Sequence, residues 1–119
     1  MRWILMLSAS FFLVGTAVAD WPQFRGPGGQ GHANAPGLPT TWGERRNVRW
    51  KTAVEGRGWS SPVIRGQQIW LSTATEAGRS LRALCFAVET GRLVRNIELF
   101  RHPKPGPLHA KNSYATPTP

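Results

Sequence analysis

Through most of the second half of the chain, apolar and polar positions trade places every two residues. Gln68–Thr75 sets Ile69, Leu71 and Thr73 against Trp70, Ser72 and Ala74, and Arg92–Phe100 places Leu93, Arg95, Ile97 and Leu99 on one side. A pleated backbone imposes that period, because successive side chains leave it on opposite faces. Ser61–Arg65 is a shorter run that Pro62 confines to a strand start or a sheet edge, since proline cannot donate to a ladder. Ser80–Val88 is apolar on both faces and predicts an inner strand. Turn residues separate the runs at Glu55-Gly56-Arg57-Gly58, Gly66-Gln67, Glu76-Ala77-Gly78 and Glu89-Thr90-Gly91. No window sustains a helical period, and turns recurring every ~8–12 residues predict an antiparallel all-β unit of four strands. Ahead of it Asn47–Val54 alternates too, with Val48, Trp50 and Thr52 on one side, and predicts one more half-buried strand.

The opening of this unit has an echo. Trp59-Ser60-Ser61-Pro62 is mirrored by Tyr114-Ala115-Thr116-Pro117 across the Pro-rich loop 101–113. The pattern predicts a first sheet unit over about 59–100 and the start of a second at about 114, hence a repeat architecture of which this chain is the front end. One four-stranded sheet covers neither of its faces alone, so neighbouring units or another protein are expected as partners. Residues 20–45 are rich in Gly and Pro but carry Trp21, Phe24 and Trp42, which predicts an extended arm pinned by ring packing rather than a flexible linker.

The N-terminus sets the compartment. Arg2, the apolar stretch Trp3–Val14 and the small-residue motif Ala17-Val18-Ala19 have the order of a secretory signal peptide over residues 1–19, with Asp20 as the mature start. The apolar stretch is shorter than the roughly 20 residues that span a bilayer, so no transmembrane anchor is expected after cleavage. The product is expected to be exported, periplasmic or extracellular. Cys85 is the single cysteine, which rules out an intrachain disulfide, and its apolar run predicts a buried, inert thiol. The net charge is +9, but its Arg and Lys residues are scattered among strands and turns. Nucleic-acid binding calls for a basic stripe and is not expected, whereas an exported basic protein meets anionic envelope polymers.

Two stretches resemble a known family. Ala87-Val88-Glu89-Thr90-Gly91-Arg92-Leu93-Val94 is similar to the repeat corner of the pyrroloquinoline-quinone-like (PQQ-like) β-propellers, whose signature runs Ala-x-Asp-x-x-Thr-Gly-Lys-x-x-Trp. Thr90, Gly91 and the basic Arg92 match it, while Cys85, Ala87 and Arg95 stand at its Ala, Asp and Trp positions. Asp20-Trp21-Pro22-Gln23-Phe24-Arg25-Gly26-Pro27 together with Trp59-Ser60-Ser61-Pro62-Val63 resembles the start of secreted propellers of this type. The resemblance implies an all-β antiparallel β-propeller, here the N-terminal arm, a closing strand at Val48-Arg49-Trp50-Lys51 and the first four-stranded blade, with residues 46–119 as the start of the propeller. It implies an exported scaffold for binding or assembly, with part of a PQQ-dependent dehydrogenase as the alternative.

Candidate chemistry is sparse. Gly26-Pro27-Gly28-Gly29-Gln30-Gly31 spells a dinucleotide fingerprint, but Pro22 and Pro36 deny it the flanking strand and helix. His32, His102 and His109 lack metal-ligand spacing, and no Ser-His-Asp order carries a nucleophile elbow, so no catalytic, cofactor-binding or metal residue is assigned. The cofactor is unknown, and PQQ has no support in this segment, which lacks a vicinal Cys pair and an acidic calcium cluster. Binding is expected at the channel mouth of the propeller, where loops precede innermost strands: Arg57, Trp59, His109, Lys111 and Asn112.

Overall fold

The computed structural model describes residues 20–119; the expected signal peptide lies outside the described residues. Four strands form one antiparallel sheet in the order β1-β2-β3-β4, an up-and-down meander: β1 is Val63–Arg65, β2 Gln68–Thr75, β3 Ser80–Ala87 and β4 Leu93–Arg101. Among the described residues, helix is limited to two single 3-10 turns, Pro27–Gly29 and Glu76–Gly78. The protein is mostly β, as its two-residue period requires.

Local chemistry explains the strand boundaries. β1 starts after Pro62, which lacks the N–H a ladder needs. Its hairpin to β2 turns on Gly66, whose φ of 55° meets the positive φ that a glycine-first two-residue turn demands. Asp20 locks that turn by accepting the Gly66 N–H at 2.7 Å on Oδ1. The β2–β3 turn is more strained, since Glu76 and Ala77 both take positive φ ahead of Gly78.

The core lies on β3, flanked on both sides by paired strands. Leu84, Cys85 and Phe86 are buried in succession, so both faces of this strand are covered. On one face Ile69 pairs across to Phe86 and Leu71 to Leu84; on the other Trp70 opposes Cys85 and Ala74 opposes Leu81. Each fully buried Leu or Phe contributes roughly 1.5–3 kcal/mol by leaving water. β4, the far edge, is exposed along its whole length.

Three expectations need correction. Residues 47–54 are not a strand: they pair with no described strand, and side chains hold them in place. Trp50 Nε1 donates to Val88 O at 2.8 Å, Thr52 Oγ1 donates to Gly91 O at 2.7 Å, and Arg49 pairs with Glu89. Trp50 and Thr52 do face the same corner, as their alternation requires, but alternation alone supplies no ladder partner. The arm is not pinned by three rings either. Trp21 sits on its own Gly26 and exchanges backbone hydrogen bonds with Ile64 at 2.8 and 2.9 Å, but Phe24 and Trp42 are exposed. Nor do Leu93, Arg95, Ile97 and Leu99 share a face. Register shifts beside Cys85/Phe86 and Leu81/Arg82 put Leu93 opposite Phe86 but Arg95 opposite Cys85, and leave Val94 and Leu99 without a register partner. Each bulge inserts a residue and turns the following side chains to the other face.

Candidate functional site

Residues 55–60 run beside the second half of β2 and form one wall of a groove of about 1260 Å³. Arg57 and Ala74 exchange backbone hydrogen bonds at 2.9 Å, which fixes the segment on the strand. Two glycines allow so close an approach. A Cβ on Gly56 would run into Ala74 O and Thr73 Oγ1, and one on Gly58 into Ser72 O. Hydroxyls complete the attachment: Thr73 Oγ1 donates to Glu55 O at 2.7 Å, and Ser60 Oγ accepts the Ser72 N–H at 3.1 Å.

The opposite wall is the stretch leading into the second Ser/Thr-Pro motif. Trp59 N donates to Ala115 O at 2.9 Å, Ser113 Oγ to Arg57 O at 3.3 Å and Ser72 Oγ to Pro117 O at 3.0 Å. The two echoing sequence segments therefore lie side by side. Asn112 Oδ1 braces the wall by accepting from Ser113 N and Thr116 Oγ1. The Tyr114 ring lies where Gly78 has no side chain, and its hydroxyl donates to Gly106 O at 2.7 Å.

Of the five residues expected at a binding mouth, Arg57, Trp59 and Asn112 line this groove together. His109 and Lys111 do not. They build the turn before it, where His109 Nδ1 accepts the Lys111 N–H at 3.2 Å and His109 O accepts the Asn112 N–H at 2.9 Å. Tyr114, at the end of the loop expected at that mouth, lines the groove too, as do Glu55 and Thr75, which the sequence did not mark as site residues. Glu55 sits in the same Glu-Gly-Arg-Gly turn as Arg57, so its proximity was visible; Thr75 reaches the site only through the Arg57–Ala74 pairing.

A second groove, about 600 Å³ and almost wholly apolar, lies against one sheet face, with Trp21 of the arm and Trp50 and Val54 of the stretch 47–54 on one side and Ile64, Ile69, Leu71 and Phe86 on the other.

Charge is organised at the far end of the sheet. Arg101 forks onto Glu76 at 2.9 and 3.1 Å and reaches Glu98 at 2.7 and 3.1 Å. Its hydrogen bonds hold both carboxyls below their ordinary range, with a further hydrogen bond from Ser80 on Glu98. Burial pushes the Cys85 thiol up, against a weaker opposing pull from Arg95. A raised thiol pKa means little thiolate, which suits an inert packing residue. Among the described residues no group of three or more His, Cys, Asp or Glu is arranged to hold a metal ion, and no helix is long and apolar enough to cross a membrane.

No family model, curated protein or solved structure matches this chain.

Proposed function

We propose that the protein is an exported β-propeller of the PQQ-like type that serves as a scaffold for binding or assembly outside the cytoplasm. In this reading the meander β1–β4 is one blade, counted outward from the central channel, and residues 113–117 open the next blade. The observation that carries it is the contact between the two echoing segments, Trp59 N to Ala115 O at 2.9 Å. Sequence-equivalent openings lie against each other at one end of the sheet, as they would around a shared axis. The extended stretch 47–54 adds support. Its side chains are anchored at Val88 and Gly91, while its backbone groups from Val48 to Val54 have no backbone partner among the described residues. Such a stretch offers a ready ladder to an incoming strand, and closure of a ring would supply one.

The exported product tests the reading. N-terminal sequencing is expected to begin Asp-Trp-Pro-Gln-Phe, and small-angle scattering is expected to show a disc large enough for about 4–8 sheets. Intact Met1 in a membrane fraction would refute export. A monomer of residues 20–119 that melts in one sharp calorimetric transition would refute the propeller.

A further inference from the structure

The groove between residues 55–60 and the loop ending at Tyr114 holds polar groups of two kinds. Most are spent within the chain: the Ser60, Thr73 and Ser113 hydroxyls and the Asn112 carbonyl each have an internal partner. Glu55 and Arg57 differ, since neither their side chains nor the indole N–H of Trp59 makes a hydrogen bond among the described residues. Trp59 is also 63% exposed although its backbone is fixed to Ala115. A carboxylate acceptor, a guanidinium donor and an uncovered aromatic platform thus come from within five residues of one another on one wall.

We propose that this groove binds an acidic saccharide, a sugar chain bearing carboxylate groups; the inference rests on the binding-scaffold reading above. A pyranose ring has an apolar C–H face that covers an indole, and an exposed Trp is a large, rigid surface to cover at small entropic cost. Sugar hydroxyls are donors that a carboxylate such as Glu55 accepts. The sugar's own carboxylate takes the planar fork of Arg57 in two parallel bonds. Charge selects among anions. A nucleic-acid strand needs a groove that is positive along its length, whereas here Glu55 lines the same wall as Arg57 and would face phosphates. The full chain's net charge of +9, which loss of Arg2 with the signal peptide lowers by one to +8, favours the approach of any anion, and the Glu55 carboxylate then discriminates against the densest ones.

The exported protein, its β-sheet confirmed by circular dichroism, is titrated calorimetrically with hexagalacturonate, neutral maltohexaose and hexathymidylate. Hexagalacturonate is expected to bind at least about tenfold more tightly than either of the others, and more weakly as salt rises. Trp59→Ala is expected to weaken binding of both sugars about tenfold or more, while Trp59→Phe, which keeps a ring, stays within about threefold of the wild type. Arg57→Ala is expected to bring hexagalacturonate down to the level of maltohexaose. Equal affinity for the two sugars, tighter binding of hexathymidylate, no binding of any of the three, or indifference to Trp59→Ala would each overturn the proposal. Scattering on the same sample separates the two readings. A multi-sheet particle that ignores hexagalacturonate sinks the saccharide and leaves the propeller, and a monomer that binds it does the reverse.

Discussion

At Gly91 the absence of a side chain is used twice. Its φ of 65° suits glycine, and the space a Cβ would fill is taken by the Trp50 ring and Thr52 Oγ1. The Thr-Gly corner after β3 is therefore a seat as well as a turn, and the carbonyls of Val88 and Gly91 receive the indole and the hydroxyl. Gly91→Ala is expected to destabilise the protein by about 1–3 kcal/mol, combining a left-handed φ with displacement of the ring. Urea titration followed by circular dichroism would register the lower midpoint, and faster hydrogen exchange of the Trp50 indole N–H its loosened seat. A variant as stable as the parent would mean Trp50 and Thr52 do not rest on this corner. Trp50→Phe keeps the stacking but drops one hydrogen bond, for a cost of about 1 kcal/mol.

Among the elements, β4 departs furthest from its sequence. Its period of two was legible, and so were the limits of β2 and β3, because the turn residues on either side are unambiguous. The two bulges were not, since an inserted residue leaves no mark in a pattern of alternating letters. Only pairing with β3 reveals that Leu93 and Arg95 lie on opposite faces. Asn47–Val54 failed for the complementary reason, in that alternation reports a face and is silent on backbone partners. At the site, Arg57, Trp59 and Asn112 could be read as loop residues preceding Ser/Thr-Pro motifs, whereas Thr75 closes β2 and reaches the groove only once residues 55–60 pair beside that strand. The end of β4 also sets the acid response. Glu76 and Glu98 ionise in the folded chain below the ordinary carboxylate value of 4.5 because Arg101 bonds both. Carboxyls depressed in this way contribute stability above their unfolded-state value, and the contribution is lost as pH falls through the lower folded-state values. Arg101→Met is therefore expected to unfold earlier in urea at pH 7, and to lose less of its midpoint than the parent between pH 7 and pH 3. Parallel pH dependence in parent and variant would show that this cluster does not govern acid stability. Both glutamates are partly exposed, so 1 M salt should narrow the difference.

Over the whole molecule, apolar surface remains uncovered on two sides. Leu93, Val94, Ile97, Leu99 and Phe100 are exposed along β4, and the apolar groove stays open beneath Trp21 and Trp50. Patches of this kind on an isolated chain draw partners. Residues 20–119 are expected to bind the dye ANS and to sediment faster as concentration rises, and both signals should fall once a covering partner or further sheets are supplied. Concentration-independent sedimentation without dye binding would show that the described surface is already complete. The extended stretch 47–54 has a kinetic consequence as well. Its bonds to the β3–β4 corner join residues 38, 39 and 40 positions apart, whereas each hairpin of the sheet pairs near neighbours in sequence. Long loops are costly to close before other contacts hold their ends, so the meander should assemble first and the stretch 47–54 should latch last. The Trp50 indole N–H, bonded to Val88 O, then becomes a clock for the final step, gaining its protection from hydrogen exchange after the strand amides in refolding and losing it before them in unfolding.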